Sequence, residues 1–213
     1  MSERPTPGRR ALNKADKERR IRAAARELFF SRGFSAVTTQ EVADRAGVGT
    51  GTLFRYAHSK GEMLCLAVNE EFTEIAGTVP VTGDPVDDLL TLCDPMIAGL
   101  RNHPENVVAY HRETLFGESG PHRAEALRIL RELRRIVAGV LATHTTREAD
   151  DPALSGPART VFDVIYMEVV RAAVDAQLEP AQRPGPDRDH RTELAGHIHR
   201  VLHGVLPTLA SPA

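Results

Sequence analysis

The chain has 213 residues, which is enough for a small unit plus a larger domain, or for one compact helical body whose core needs no cross-links. Its formal charge at pH 7 is −2, and its two cysteines, Cys65 and Cys93, lie far apart in the sequence. These features exclude a disulfide framework and a zinc ribbon, so we expect a reducing, cytoplasmic environment.

The N-terminal residues up to Lys14 are polar and basic, and no apolar run follows them, so we expect no secretory signal. No stretch approaches the roughly 20 apolar residues of a membrane helix, which predicts a soluble protein with no membrane partner.

Residues 1–66 carry 13 basic and 7 acidic side chains, a balance of +6, which leaves −8 for the remainder. This division is typical of a protein that presents one end to phosphate, although charge also accumulates on ordinary solvated helices.

The first predicted helix has an apolar stripe at the helical period and ends near Gly33, which can adopt a positive φ. The stripe consists of Ile21, Ala24, Ala25, Leu28 and Phe29. A second short helix begins at Thr38 or Thr39, since either is a good N-cap. A tight turn with two glycines, Gly47 and Gly49, separates it from a third helix, predicted from about Thr50 to Tyr56.

The rest of the chain also follows the helical period. Helices are predicted from about Lys60 to Ala76, from Asp84-Pro85 onward, from Pro104 to about Gly117, from Pro121 onward, from about Pro157 to Leu178, and from Asp189 to Leu209. The segment from Asp150 to Pro157 is predicted to be a linker. No alternating strand pattern exceeds three residues and no internal repeat occurs, so we predict an all-α fold.

The predicted helix from Pro157 to Leu178 is apolar on nearly every side, which indicates burial on two faces. In a domain of this size we expect the second face to be covered by another copy of the chain. The sequence therefore predicts a homodimer in which this helix and the last helix form a four-helix bundle. A charge placed at Val169 or Val205 is expected to split that dimer.

The segment from Thr38 to Tyr56 has the pattern of a helix-turn-helix. Ala43 supplies the small residue needed where the two helices cross, and Gly47 supplies the turn four residues later. Apolar positions between them pack inward. Five polar or small residues are left facing outward, able to enter a major groove: Gln40, Thr50, Gly51, Thr52 and Arg55.

Residues 21–66, about a quarter of the chain, closely resemble the DNA-binding domain of the TetR family of repressors. The resemblance is carried by Phe29, Gly33, Phe34, Thr38, Thr39, Val42, Ala43, Ala46, Gly47, Val48, Gly51, Thr52, Leu53, Tyr56, Ser59, Lys60 and Leu64. It implies a DNA-binding domain over residues 1–60 and an effector-binding and dimerisation domain over residues 61–213.

The resemblance also implies individual roles. Thr39 and Lys60 would each meet a backbone phosphate, and five residues would face base edges: Gln40, Thr50, Gly51, Arg55 and Tyr56. The basic arm with Arg9, Arg10 and Lys14 would reach a phosphate or the minor groove, unless it is a disordered, solvated tail. Two departures from the family pattern are Phe54, where a phosphate-contacting tyrosine is usual, and Ala57, where a phenylalanine is usual.

His111 shares a helix face with Val107, Val108 and Leu115, so it is predicted to point inward. It is either a hydrogen-bonded core residue or a contact for a small-molecule effector. Four further residues either line a cavity with it or belong to the plain core: Met96, Tyr110, Phe116 and Tyr166.

Other chemistry finds little support in the sequence. The glycines at 47, 49 and 51 lack the spacing of a phosphate-binding loop, and the histidines at 190, 197, 199 and 203 lack a third metal ligand at suitable spacing. We find no catalytic constellation and predict no cofactor.

Three functions are compatible with these patterns. The first is a dimeric repressor that a small-molecule effector of unknown identity releases from a palindromic, double-stranded operator. The second is a ligand-independent DNA-binding activator or architectural dimer, whose C-terminal domain only dimerises. The third is a small-molecule enzyme with a vestigial DNA-binding fold, against which the divided charge argues.

Overall fold

The computed structural model describes residues 9–76, 82–179, 182 and 189–210. Within these ranges the chain forms α-helices and no strand, which confirms the all-α prediction. The helices are α1 (Arg9–Ala36), α2 (Thr39–Ala46), α3 (Thr50–Leu53), α4 (Lys60–Ala76), α5 (Pro85–Asn102), α6 (Pro104–Phe116), α7 (Pro121–Thr143), α8 (Ser155–Asp175) and α9 (His190–Ala210). In the part of the chain that is described, no helix is both long and apolar enough to cross a membrane.

Helix α1 is interrupted near its end by Gly33, which has φ 78° and ψ 161°. Only glycine adopts this region readily, because a Cβ atom would collide with the neighbouring backbone. A side chain at this position would also meet Glu105 of α6 and His103, which lies between α5 and α6. Gly33 therefore ends the main helix and lets α6 approach it closely.

Helices α2 and α3 are fixed by local signals. Thr38 is the N-cap of α2: its hydroxyl accepts the Glu41 N–H, and the Glu41 carboxylate accepts the Thr38 N–H in return. Gly47 ends the helix in the left-handed conformation, at φ 64° and ψ 41°. The predicted end of α3 at Tyr56 was wrong, because the helix stops at Leu53 and the next residues form a tighter turn.

Helix α4 is buried along most of its length because it packs between α1 on one side and α6 and α7 on the other. Its central residues, from Met63 to Ala67, are no more than 1% exposed. A helix that is covered on all sides is part of both units it touches. α4 is thus the buried element that joins the N-terminal helices to the rest of the protein.

The starts of α5, α6 and α7 follow the predicted prolines, since Pro85, Pro104 and Pro121 lie in their first turns. The predicted linker up to Pro157 was too long. A short 3-10 turn, Pro152–Leu154, leads directly into α8 at Ser155, so Pro157 lies in the first helical turn, where its missing N–H needs no partner.

Helix α8 buries one face within the subunit and leaves an apolar face outside. Val161, Ile165 and Val169 are buried, whereas Met167 is 57% and Val174 is 45% exposed. The inward position of Val169, only 1% exposed, contradicts its predicted place on a dimer surface. A charge at Val169 would damage the core of the subunit itself.

Both cysteines are buried and free. Burial raises the pKa of Cys65 and of Cys93 to about 12, so both thiols stay protonated at neutral pH. Buried, protonated thiols are poor nucleophiles, which gives Cys65 and Cys93 a packing role.

Candidate DNA-binding surface and ligand cavity

Helix α1 holds the helix-turn-helix in place through three arginine contacts. The Arg20 guanidinium donates to the Ala46 carbonyl at the end of α2, at 2.9 Å. Glu27 of α1 pairs with Arg45 at 2.6 Å, and Arg32 of α1 pairs with Glu41 at 2.7 Å. The hydrogen bond from Arg32, with those from Thr38, lowers the pKa of Glu41 to about 2. Because the contacts lie at both ends of α2, they fix its orientation against α1.

The residues predicted to contact DNA are all at least partly exposed, and we call them the recognition surface: Thr39, Gln40, Thr50, Gly51, Thr52, Arg55, Tyr56 and Lys60. Gln40 and Arg55 are exposed, and the Gln40 amide donates to Asp44 at 2.8 Å. A Cβ atom added at Gly49 or Gly51 would meet nothing within 4 Å, so the start of α3 is open to a large partner. Such an opening suits the close approach of a duplex.

Lys60 and Tyr56 border the recognition surface and are held by neighbours. The Lys60 ammonium lies 4.4 Å from the centre of the Phe34 ring, and partial burial lowers its pKa. The Tyr56 hydroxyl donates to the Lys14 carbonyl of α1 at 3.4 Å. This bond connects the end of the turn to the segment that carries the basic arm.

The basic arm is helical from its first described residue. Arg9, Arg10 and Lys14 are exposed on the first turns of α1, so from Arg9 onward they do not form an irregular tail.

Of the two departures from the family pattern, Phe54 is 41% exposed at the end of α3, whereas Ala57 is fully buried.

A cavity of about 200 Å³ lies between α1, α4, α5 and α6. Its wall is mainly apolar, and the residues that line it are Phe30, Val68, Glu71, Phe72, Pro95, Met96, Ala98, Gly99, Asn102, His103, Asn106, Val107, Tyr110 and His111. Residues from both α1 and α4 take part, so the cavity adjoins the DNA-binding helices directly. Apolar cavities with a few polar groups are the usual form of small-molecule sites.

Three of the five predicted cavity residues line this space: Met96, Tyr110 and His111. Tyr166 of α8 lies behind the wall, where its hydroxyl is 2.7 Å from the His111 Nδ1 atom. The prediction for Phe116 is corrected, because this residue is 82% exposed at the last turn of α6 and lies outside the lining.

Sequence reasoning missed Asn106, which lies one helical turn before Tyr110 on the same face of α6. Its side chain is buried, and its amide donates to the Phe29 carbonyl at 2.8 Å. That carbonyl lies in α1 just before the Gly33 break, so the bond ties the end of the main helix to α6. An asparagine in an apolar stripe was the available clue, and its partner on α1 could not be read from the sequence.

A second buried contact joins the helix-turn-helix to the body through Glu62 of α4, which is 2% exposed. Its carboxylate accepts the His58 N–H at 2.7 Å and the His122 N–H of α7 at 3.3 Å. The His122 ring donates from Nε2 to the Tyr56 carbonyl at 2.9 Å. The turn that follows α3 is thereby tied to the start of α7.

Comparison with known proteins identifies a family. Residues 21–65 match the model for "Bacterial regulatory proteins, tetR family". The HTH-type transcriptional repressor KstR of Rhodococcus jostii (strain RHA1) is 30% identical over 160 residues, which cover 73% of each chain.

Solved structures of TetR-family regulators are similar to this chain. Thermus thermophilus FadR, a TetR-family transcriptional repressor solved in complex with lauroyl-CoA, is 26% identical with a TM-score of 0.57, covering 92% of this chain and 97% of FadR. A TetR transcriptional regulator from Rhodococcus sp. RHA1 has a TM-score of 0.63 at 21% identity, covering 89% of this chain and 96% of the other, a likeness of fold.

The buried state of His111 predicts a pH dependence of stability. Burial lowers the pKa of His111 from 6.5 to about 4. As the pH falls, the unfolded chain takes up this proton near pH 6.5 and the folded protein only near pH 4, so stability is lost between these values. We expect a loss of about 2 kcal/mol from this group between pH 7 and pH 5, measured by urea unfolding at fixed protein concentration.

His111→Phe is expected to remove this part of the pH dependence. An unchanged pH dependence in His111→Phe would contradict the assignment of a buried, neutral imidazole.

Proposed function

The chain belongs to the TetR family of DNA-binding transcriptional regulators, and from this premise we propose that it is a dimeric cytoplasmic repressor which a small apolar molecule releases from a palindromic operator. The observation that carries the proposal is the position of the cavity. Phe30 of α1 and Val68 and Phe72 of α4 line it, so a bound molecule touches the helices that position the recognition surface.

The ligand would act by favouring one arrangement of these helices over another. A molecule that binds both arrangements equally cannot change operator affinity, however tightly it binds. The contacts that would transmit a difference are the Asn106 bond to the Phe29 carbonyl and the Glu62 bonds to His58 and His122. A change in the tilt of α1 and α4 would alter the distance between the two recognition surfaces of a dimer.

An apolar ligand is supported by the cavity wall and by one relative. Eight of the lining residues are carbon-rich side chains or glycine: Phe30, Val68, Phe72, Pro95, Met96, Ala98, Gly99 and Val107. The FadR repressor of Thermus thermophilus was solved with lauroyl-CoA, whose acyl chain is apolar. A ligand-independent regulator would be expected to fill this space with side chains.

On the DNA, we propose that Thr39 and Lys60 contact phosphates and that Gln40, Thr50, Gly51, Arg55 and Tyr56 face base edges. The arm with Arg9, Arg10 and Lys14 would reach a neighbouring phosphate or the minor groove. Thr52 would contact DNA beside Gly51. The short α3 supports the need for two subunits, since one such helix offers few contacts.

Different roles for these residues predict different effects of substitution. Lys60→Ala should weaken binding to all sequences alike, because a phosphate contact does not depend on the base. Gln40→Ala and Arg55→Ala should relax the preference at particular base pairs, by about 1–3 kcal/mol each. The measurement is fluorescence anisotropy with a duplex from upstream of the protein's own gene and with single-base variants of it, at several salt concentrations.

Arg131→Ala removes an exposed cation from α7 in the body and is the matched control, for which we expect unchanged binding. If Lys60→Ala changed sequence preference and kept overall affinity, the division into phosphate and base contacts would be wrong.

The dimer is proposed to form through the outer faces of α8 and α9. Met167 and Val174 are exposed apolar residues of α8, and Val205 of α9 is half-buried within the subunit. Their contact with a second copy would bury this apolar surface in a symmetric interface. Because Val169 lies in the interior, the test of the interface uses the two exposed residues of α8, Met167 and Val174.

Met167→Glu and Val174→Glu should each shift the protein from dimer to monomer in light scattering, because a charge in the interface would lose its hydration. Leu12→Glu makes the same kind of change at an exposed residue of α1 and should leave the dimer intact. Dimers that persist in both α8 variants would place the interface on other helices.

A further inference from the structure

The cavity contains a polar atom whose partner is missing within the described part of the chain. His111 is 3% exposed and lines the cavity, and its Nδ1 atom is occupied by the Tyr166 hydroxyl at 2.7 Å. The other ring nitrogen, Nε2, is buried without a hydrogen-bond partner. Buried polar groups in native proteins are normally paired, so an unpaired one at a cavity wall indicates a partner that arrives with a ligand.

The contact with Tyr166 determines which nitrogen carries the proton. The imidazole is neutral at physiological pH because it is buried, so only one of its nitrogens bears a hydrogen. The Tyr166 hydroxyl has no other hydrogen-bond partner recorded among the described residues, and by donating to Nδ1 it satisfies its own hydrogen. This arrangement leaves Nε2 as an N–H donor.

The charged residues around the cavity indicate what charge a ligand can carry. Among the described residues that line the cavity, none is a lysine or an arginine. The one carboxylate there, Glu71, pairs with Arg26 at 3.4 Å. An anionic group placed in this space would lose its hydration and find no lysine or arginine in the described lining, since the nearby Arg26 already pairs with Glu71.

The cavity also offers an acceptor. Because the Phe29 carbonyl can only accept, the Asn106 atom that contacts it is the amide nitrogen, and the side-chain oxygen is left without a partner. A hydroxyl on a ligand could donate to this oxygen, whereas a carboxylate could not.

We propose that the cavity binds an uncharged, mainly apolar molecule, or the uncharged part of a larger one, whose carbonyl or hydroxyl oxygen accepts the hydrogen of His111 Nε2. The inference rests on the proposed ligand-binding function and adds the chemical class of the ligand. His111 is the specificity residue, and Tyr166 is a positioning residue that acts through it by fixing the proton on Nε2.

The test uses small probes of nearly equal shape with the full-length protein: acetophenone, ethylbenzene and benzoate. Their affinities are measured by isothermal titration calorimetry at pH 7. Acetophenone presents an acceptor, ethylbenzene presents none, and benzoate is an anion of similar size. We expect both neutral probes to bind and benzoate to show no binding.

The decisive quantity is the ratio of the acetophenone and ethylbenzene dissociation constants, because the ratio cancels effects of a variant on apolar packing. In His111→Phe the ratio should shift against acetophenone by about fivefold, the effect of one ordinary hydrogen bond. Tyr166→Phe should shift it in the same direction by less, since Nε2 then keeps its proton only part of the time. Circular dichroism shows whether each variant is folded, and Tyr166→Phe tests the proposal alone if His111→Phe does not fold.

The outcomes separate two failures. If both neutral probes bind and neither variant changes the ratio, or if benzoate binds as tightly as acetophenone, the assignment of His111 and the uncharged class is overturned while ligand binding stands. If neither neutral probe binds the wild-type protein, the cavity is not a ligand site and the proposed release by a ligand falls with the inference.

Discussion

The hydrogen bond from the Asn106 amide to the Phe29 carbonyl joins the two parts of this protein where α1 ends. Phe29 is buried in the core of the DNA-binding helices, and Asn106 is buried in the wall of the cavity. Gly33 breaks α1 at this point and lets α6 come close, which brings the Asn106 amide within reach of the Phe29 carbonyl. Any movement of α6 that kept this bond would carry the end of α1 with it, and through α1 the helix-turn-helix.

Buried hydrogen bonds are suited to linking the body to the DNA-binding helices because breaking one costs free energy. Leaving the buried Asn106 amide without a partner costs about 1–3 kcal/mol, a large share of the 5–15 kcal/mol that stabilises a typical domain. The same holds for the Glu62 carboxylate, whose three hydrogen bonds come from two segments, around His58 and His122. Two such connections on different sides of α4 make it costly for the DNA-binding helices to move independently of the body. Under the proposed function, a movement of the cavity wall would therefore be passed on to the recognition surface.

Local chemistry made much of the fold predictable. The helix starts at Pro85, Pro104 and Pro121 follow from the fixed φ and missing N–H of proline, and the cap at Thr38 follows from its hydroxyl. The helix-turn-helix was predictable for the same reason, since its spacing lies within one short segment.

Tertiary packing determined the positions of the residues that the sequence did not predict. Val169 faces inward because α8 packs on neighbours of its own subunit, Phe116 lies outside because α6 ends there, and Asn106 has its role only because Gly33 brings α1 close.

In vitro selection tests whether two copies of the helix-turn-helix read a symmetric duplex. The full-length protein is incubated with double-stranded DNA of random sequence, and the bound fraction is amplified and sequenced over several rounds. We expect enrichment of a palindrome whose half-site centres lie about one turn of DNA apart, near 34–36 Å or a multiple of it, with two subunits bound to each duplex. Enrichment of a single asymmetric half-site, or no enrichment over random DNA, would contradict this expectation.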